Sequence, residues 1–246
     1  MALRRSHKLS LLLGAAVIAG LTLARGFISN MLWGSTAVHR VRTTEKVVAL
    51  TYDDGPHPVY TPQILSILRK YRVKATFFMI GKNMDKYPEI VRRVVADGHA
   101  IGNHTYTHPS DINADSRAQA KGEMEACEKT IERLTGRRSY LFRPPKGFMD
   151  EIVYSAAKRM GYRTILWTVC ADNHTAPTPR LMADRVLSQV RPGAIVLIHD
   201  GYLPIRWKDV RATPLIIEGL RREGYRFVTI PELLRFENGS GTNSRQ

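Results

Sequence analysis

Acidic, histidine and arginine side chains that could perform hydrolytic chemistry occur in short groups along the chain. The first group is Asp53-Asp54, the second runs from His104 to His108, and later ones centre on Arg143 and His199. Two histidines four residues apart meet when the backbone between them makes a helical turn, and one carboxylate completes a set of three ligands. Two histidines and a carboxylate with an open position are typical of a hydrolytic zinc site. The histidine spacing alone is weak evidence, because it also arises by chance.

The hydropathy pattern predicts the elements that position these groups. From Lys46 onward, β-rich runs alternate with helical stretches, which implies parallel pairing in an α/β barrel or a doubly wound sheet. The predicted strands are 47–51, 75–80, 99–103, 139–142, 163–169, 194–198 and 226–229. The predicted helices are 116–134, 151–160, 179–190 and 209–222, with two more beginning at Thr61 and Pro88. The groups follow strand ends, which meet on one face of a parallel barrel, so we expect them to form one site.

Two helix boundaries carry specific signals. A hydroxyl residue followed by proline predicts Thr61 as an N-cap and Pro62 as the first helical residue. Gly98 follows the apolar face of the helix that begins at Pro88, and it is predicted to be the C′ residue of that helix.

Four of the groups have the form of motifs and occur in a defined order. They read T-Y-D-D-G at 51–55, H-T-Y-T-H at 104–108, R-P-P-K-G at 143–147 and L-I-H at 197–199. In type and order they resemble the polysaccharide deacetylase (NodB-homology) family, carbohydrate esterase family 4, from Val47 to Leu234. The resemblance implies an α/β fold, a distorted (β/α) barrel of the NodB-homology type. It also implies a metal-dependent hydrolase that removes N-acetyl groups from N-acetylglucosamine residues of a cell-wall or related polysaccharide, with peptidoglycan favoured.

The resemblance assigns a role to each matching position. It implies that Asp54, His104 and His108 hold a divalent metal, with zinc as the family expectation. Asp53 would be the general base, Arg143 would keep it ionised and oriented, and His199 would be the general acid. The implied substrate-binding residues are Tyr52, Pro145, Lys146, Trp167 and Leu197. Among these, Leu197 would line the acetyl pocket, the backbone N–H of Lys146 would stabilise the oxyanion, and Trp167 fits a sugar site or the core equally well.

The fourth family motif, W-x-x-D-x-x-D-W, is altered in this chain. Residues 167–174 read W-T-V-C-A-D-N-H, so both acids and the second tryptophan are replaced. The second acid normally supports the catalytic histidine, and a carboxylate partner raises the pKa of a histidine. Asn173 could orient His199 without adding that charge, and Asp172 could substitute from one position earlier. Lys146 replaces the usual aromatic residue of the third motif, which removes a stacking surface and adds a cation.

Residues 1–33 are predicted to be a signal peptide or a membrane anchor. A basic head precedes the apolar run Leu9–Ala24, which is 16 residues long. That length lies between a signal-peptide core of about 7–15 residues and the roughly 20 needed to span a bilayer. We favour an uncleaved anchor over a cleaved signal, and both place the rest of the chain outside the cytoplasm. Residues 34–45 are expected to be a linker, 46–236 the catalytic domain and 237–246 a flexible tail.

The net charge of +15 points to an anionic neighbour. Seven basic residues and one acid precede Val47, so this stretch carries +6 and the remainder +9. The remainder lacks runs of five or six Lys/Arg and interleaved aromatics, which argues against nucleic acid and favours an anionic cell envelope. Two cysteines exclude a disulfide framework and a four-thiolate zinc site. No obligate protein partner is evident, and the expected partners are an acetylated polysaccharide and a membrane.

Two alternatives to the favoured function stay open at this point. The altered fourth motif is compatible with a glycan-binding protein that keeps the fold and has weakened or lost turnover. The same site could also deacetylate another N- or O-acetylated substrate. Acetate release from a panel of substrates separates these alternatives from the favoured one.

Overall fold

The chain folds into a curled half-barrel of parallel strands with helices packed outside it. The computed structural model describes residues 31–109, 117–172, 176–201 and 206–239. The strands are β1 (Val47–Asp53), β2 (Thr76–Met79), β3 (Ala100–Asn103), β4 (Leu141–Phe142), β5 (Arg163–Thr164), β6 (Val169–Cys170), β7 (Ala194–His199) and β8 (Arg226–Phe227). The helices are α1 (Tyr60–Lys70), α2 (Gly81–Lys86), α3 (Pro88–Ala96), α4 (Arg117–Thr135), α5 (Glu151–Arg159), α6 (Pro179–Gln189), α7 (Trp207–Arg222) and α8 (Ile230–Gly239).

The predicted alternation of strands and helices is confirmed, with differences at particular boundaries. Helix α1 begins at Tyr60 and has no side-chain cap, so the prediction of Thr61 as its N-cap is wrong. The prediction for Gly98 is confirmed, because it follows α3 with φ +78°. The predicted strand 163–169 is two short strands, β5 and β6. Helices α2 and α8 were not predicted, and α8 shows that residues 237–239 are helical rather than tail.

The strands pair in the order β5-β4-β3-β2-β1-β7-β6, and β8 pairs with β1. Within the described chain β5 and β6 do not pair, so the barrel is open between them. Residues 38–41 connect β5 with the start of β7: the N–H of Val38 donates to Thr164 O at 2.9 Å, and the N–H of Val41 donates to Gly193 O at 3.0 Å. Ala37 and Val41 are buried. Part of the predicted linker is therefore packed on the catalytic domain.

Strand β1 lies at the centre of the sheet and is buried at all 7 residues. Its side chains alternate between the two faces, as in any strand. Val48, Leu50 and Tyr52 pack with the helices in the outer core, whereas Val47 and Ala49 belong to the cluster with Phe78, Ile165 and Ile195. The alternation places Asp53 on the opposite face from Tyr52.

The predicted signal or anchor falls almost entirely outside the described residues, which begin at 31. Residues 31–34 are helical, and the Trp33 ring packs against Tyr154 with centroids 5.1 Å apart. Among the described helices, none is both long and apolar enough to cross a membrane. Residues 240–246 also lie outside the described part, so the rest of the predicted tail stays a prediction.

Candidate active site

Asp53 at the end of β1 is held by a buried arginine. Arg143 follows β4 and is fully buried, and its Nη1 donates to Asp53 Oδ1 at 2.6 Å and to Thr51 Oγ1 at 2.9 Å. Its Nε and Nη2 donate to the carbonyls of Ile165 and Leu166, each at 3.0 Å. Burial lowers the pKa of Arg143, and the adjacent Asp53 charge opposes that effect. The guanidinium thus holds the Asp53 carboxylate in one orientation.

Asp54, His104 and His108 bring three ligand atoms together. Asp54 Oδ1 lies 3.4 Å from His104 Nε2 and 3.3 Å from His108 Nε2. Zinc ligands about 2.0–2.1 Å from a tetrahedral centre stand about 3.3–3.4 Å apart, so these separations fit one metal ion. Burial alone would raise the pKa of Asp54, but the hydrogen bond and charge of His104, with His199 and His108, lower it to about 2. An ionised carboxylate is the form that binds a cation.

The tautomer of His104 also suits a metal ligand. Its Nδ1 lies 2.7 Å from the carbonyl oxygen of Arg143, which can only accept, so Nδ1 carries a proton and, in the neutral ring that binds a metal, Nε2 bears the lone pair. His104 is 2% exposed. The same arginine whose side chain holds Asp53 therefore orients this imidazole through its backbone.

The loop between the two histidines is not the helical turn that the sequence spacing suggested. Thr105 and His108 have positive φ angles of 67° and 56°. Glu123 on α4 holds the loop, because its Oε2 accepts hydrogen bonds from the N–H groups of Tyr106 at 2.9 Å and Thr107 at 2.7 Å. The rings of the two histidines are 5.0 Å apart. Glu123 could not be identified from the sequence, since it lies in a helix rich in charged residues and its tertiary position alone distinguishes it.

His199 at the end of β7 is supported by Asp172. The His199 Nδ1 is 2.8 Å from Asp172 Oδ1. Of the two candidates in the altered fourth motif, Asp172 is thus the partner, and Asn173 lies outside the described residues. Burial lowers the pKa of His199, but the hydrogen bond and charge of Asp172 outweigh it and raise the pKa above its usual value. The pKa of Asp172 is lowered, because His199 and Arg206 overcome the effect of its burial.

Two residues at the start of α7 complete this side of the site and were not found from the sequence. Arg206 forms an ion pair with Asp172, and the N–H of His199 donates to Asp209 Oδ1 at 3.2 Å. Ligand atoms of Asp172, His199 and Asp209 lie close enough to hold a metal ion. The Arg206 cation already neutralises this group, which argues against a second metal there. The only sequence signal was a charged pair three residues apart, which begins seven residues after the L-I-H motif.

A cavity of about 200 Å³ joins the two sides of the site. It is lined by Asp53, Asp54, His104, His108, Lys146, Gly147, Trp167, Leu197 and His199. Three of the predicted substrate-binding residues, Lys146, Trp167 and Leu197, therefore face it. Trp167 packs so closely on Gly147 that a Cβ there would lie 2.6 Å from the indole, which requires glycine. Lys146 has φ +57° and an exposed side chain.

Two predicted substrate-binding residues are placed elsewhere. Tyr52 is fully buried on the outer face of β1, stacks on Phe77 with centroids 5.1 Å apart and shares a hydrogen bond with Thr213. Its strand position directs it away from Asp53, so the structure assigns it to the core. Pro145 is buried at the start of a short 3-10 turn, Pro145–Gly147, and does not line the cavity.

Asp200 is a buried carboxyl group behind the Asp53-Asp54 turn. Thr61 donates to its Oδ2 at 2.5 Å, and its Oδ1 has no hydrogen-bond partner among the described residues. Burial, with the charges of Asp54 and Asp53, raises the pKa of Asp200 to about 7. A Cβ at Gly55 would lie 2.4 Å from this carboxyl group. Contact with Asp200 therefore explains the hydroxyl group of Thr61, which does not cap a helix. The same contact explains why residue 55 is glycine.

Comparison with known proteins gives related sequences over most of the chain. A family model described as polysaccharide deacetylase matches residues 40–165. A peptidoglycan-N-acetylglucosamine deacetylase of Bacillus cereus is 40% identical over 200 residues, 80% of this chain and 92% of that protein. The peptidoglycan-N-acetylmuramic acid deacetylase PdaA of Bacillus subtilis is 33% identical over 211 residues, 84% of this chain and 78% of that protein.

Solved structures share the fold. The crystal structure of the Bc1960 peptidoglycan N-acetylglucosamine deacetylase has a TM-score of 0.77 at 32% identity and covers 82% of this chain and 94% of that one. A CE4 family pseudoenzyme from Bacillus anthracis has a TM-score of 0.73 at 31% identity and covers 80% of this chain and 68% of that one. With the family model and the sequence relatives, these matches show that the chain belongs to the polysaccharide deacetylase family.

Proposed function

We propose that this chain removes N-acetyl groups from N-acetylglucosamine residues of peptidoglycan in a metal-dependent hydrolysis. The observation that carries the proposal is the arrangement around one cavity of about 200 Å³. This cavity is lined by the carboxylate that Arg143 holds, by the histidine that Asp172 holds and by the three candidate metal-ligand side chains. Paired acid and base groups with a metal site are what amide hydrolysis requires.

The proposed metal ligands are Asp54 Oδ1, His104 Nε2 and His108 Nε2. A divalent metal held there would supply Lewis acidity, which would polarise the acetamide carbonyl and make the attacking water more acidic. Two histidines and one carboxylate suit zinc well, and zinc is our proposal for the ion. The buried, ionised Asp54 and the oriented His104 support it.

The protein groups then move the protons. Asp53 accepts a proton from the water that attacks the carbonyl carbon, and the backbone N–H of Lys146 stabilises the oxyanion that forms. His199 donates its proton to the amine nitrogen as the C–N bond breaks, which makes a poor leaving group acceptable. The products are acetate and a free amine on the sugar. Leu197 and Trp167, which line the cavity, would contact the acetyl methyl group and the sugar ring.

Peptidoglycan is the proposed polymer on three grounds. Several relatives are deacetylases named for it, residues 47–246 carry a +9 net charge suited to anionic wall polymers, and residues 1–33 have the pattern of an export signal or anchor. We therefore also propose that the catalytic domain lies outside the cytoplasm, attached to the membrane by its N-terminal segment or released from it.

One observation favours a second substrate. Lys146 places an exposed cation on the cavity wall. N-acetylmuramic acid differs from N-acetylglucosamine by a lactyl group with a carboxylate, which such a cation could bind. Deacetylation of N-acetylmuramic acid is therefore the second candidate.

The test is acetate release by the full chain from peptidoglycan, chitooligosaccharides and acetylated xylan. We expect release from peptidoglycan, with loss after chelation and recovery with Zn²⁺, and mass spectrometry of the product identifies which sugar lost its acetyl group. A truncation that begins at Arg42 is unsuitable, because it removes Val38 and Val41, which contact β5 and the residue before β7. Binding of peptidoglycan without acetate release at any divalent metal would contradict the proposal and support a glycan-binding role.

A further inference from the structure

Arg206 is a buried cation that touches three carboxylates on the acid side of the site. It is 6% exposed. Its Nη1 donates to Asp172 Oδ2 and lies 3.7 Å from Asp209 Oδ2, and its Nη2 lies 3.7 Å from Asp54 Oδ2. The guanidinium therefore stands between the candidate metal ligand Asp54 and the carboxylate that supports His199.

A backbone carbonyl directly after β7 helps to set the orientation of this guanidinium. Arg206 Nε donates to the carbonyl oxygen of Gly201 at 3.0 Å. Asp200 and Gly201 are fixed in turn against the Asp53-Asp54 turn, because the N–H of Asp200 donates to Asp53 O at 3.0 Å and a Cβ on Gly201 would lie 2.1 Å from Asp54 O. The arginine thus links the acid side to the same backbone that carries the base.

We propose that Arg206 is a positioning residue for the acid step, which holds Asp172 so that its Oδ1 faces His199. The inference rests on the proposed function and extends it to a residue outside the five family motifs. Arg206 occupies Asp172 Oδ2 and leaves Oδ1 for the imidazole Nδ1 at 2.8 Å. Arginine suits this task because its planar fork fixes a carboxylate in direction as well as in charge.

The need for such a clamp follows from the altered fourth motif. The supporting acid stands at position 172, one residue before its place in the family pattern, so its side chain leaves the backbone from a different point. The Asp172 side chain is 20% exposed, whereas that of Asp53 is 4% exposed. Cys170 Sγ also lies 3.4 Å from Asp172 Oδ1. A carboxylate with partial solvent access and a competing neighbour needs a second fixed contact to keep one orientation.

The first test measures the His199–Asp172 hydrogen bond without using activity. In the ¹⁵N-histidine-labelled full chain loaded with Zn²⁺, NMR records the downfield Nδ1–H signal, which His199→Ala assigns. Arg206→Met should abolish or shift this signal. The matched control is Arg211→Met, which removes an exposed arginine of the same helix and should leave the signal unchanged. An unchanged signal in Arg206→Met overturns the inference.

The second test is a double-mutant cycle on acetate release. Arg206→Met should lower kcat about 10–100-fold with little change in KM, as expected for loss of an outer partner of a functional histidine. In an Asp172→Asn background the same substitution should lower kcat by no more than about 3-fold, since the partner through which it acts is gone. Equal losses in both backgrounds, or a change confined to KM, contradict the inference.

Arg206→Lys keeps the experiment decisive if Arg206→Met does not fold. Lysine retains the charge but not the planar fork of arginine, so Arg206→Lys should have a higher kcat than Arg206→Met. If Arg206→Met does not fold, Arg206→Lys takes its place in the cycle. It should then lower kcat by a smaller factor, and that loss should shrink in the Asp172→Asn background. A full loss that is independent of Asp172 overturns the inference. If the wild-type protein releases no acetate from any substrate, the proposed function fails, while the NMR signal still decides the role of Arg206.

Discussion

Asp53 and His199 line the same cavity, and a buried arginine stands behind each of them. On the base side, Arg143 contacts Asp53 directly and uses its other donors on backbone carbonyls and a threonine. On the acid side, Arg206 is connected to the imidazole of His199 through Asp172 and also approaches two further carboxylates. The base therefore contacts its arginine directly, whereas the acid is connected to its arginine through one intervening carboxylate.

The two sides differ in solvent access as well as in length of contact. The side chains of Arg143 and Asp53 are 0% and 4% exposed, whereas those of Asp172 and His199 are 20% and 19% exposed. A charged pair in a dry environment has few alternative arrangements, and loss of one partner leaves the other buried without compensation. Partly exposed charged groups can instead be solvated by water when their partner is removed. Substitutions on the base side should therefore cost more than those on the acid side.

Asp53→Asn should have the largest effect on turnover. Asparagine keeps the shape but cannot accept the proton, so we expect kcat to fall about 10²–10⁴-fold, the usual contribution of a general base. Zn²⁺ binding, measured by titration calorimetry, should persist because the three ligands remain. Asp184→Asn changes an exposed carboxylate on α6 and is the control that should keep full activity. Retained turnover in Asp53→Asn would remove the base assignment.

Arg143→Met should have the largest effect on stability. It leaves the Asp53 carboxylate buried without its cation, and breaking a buried ion pair in this way costs about 3–5 kcal/mol of unfolding free energy. Arg206→Met should cost less, because Asp172 retains access to water. Urea denaturation of both variants measures the difference. Equal losses would show that exposure does not separate the two sides.

Asp172→Asn should have a smaller effect on rate and a distinct effect on pH dependence. We expect kcat to fall about 10–100-fold, as for loss of a carboxylate behind a functional histidine. Asp172 raises the pKa of His199 and burial lowers it, so without the carboxylate the pKa drops. Because the acid acts in its protonated form, the alkaline limb of the kcat profile should move to lower pH. An unmoved limb would mean that another group is the acid.

Lys146→Met should have the smallest effect and act on substrate choice. If this cation binds the lactyl carboxylate of muramic acid, KM should rise by about fivefold or less for N-acetylmuramic substrates, the scale of an exposed ion pair of up to about 1 kcal/mol. For chitooligosaccharides, which carry no carboxylate, it should not change. Acetate release from both substrates by wild type and variant provides the measurement. Equal changes for both substrates would contradict the second candidate function.

Much of the fold and the base side could be predicted from the sequence because the relevant signals are local. The alternation of β-rich and helical runs reports parallel strands, and the motif residues follow strand ends directly. Asp53, Asp54, His104, His108 and Arg143 accordingly lie together as predicted. The cavity also includes Lys146, Trp167 and Leu197. The local prediction of Thr61 as an N-cap was wrong because its hydroxyl group donates a hydrogen bond to Asp200, which is distant in sequence.

The rest depended on contacts between distant parts of the chain. The sequence by itself determined which side chains stand at the strand ends and that the fourth motif is altered. Only the tertiary structure decided that Asp172 supports His199, that Arg206 clamps Asp172, that Glu123 holds the histidine loop and that Tyr52 belongs to the core. Spacing along a strand specifies where a side chain starts, but the partner it meets depends on how helices and loops pack across the barrel.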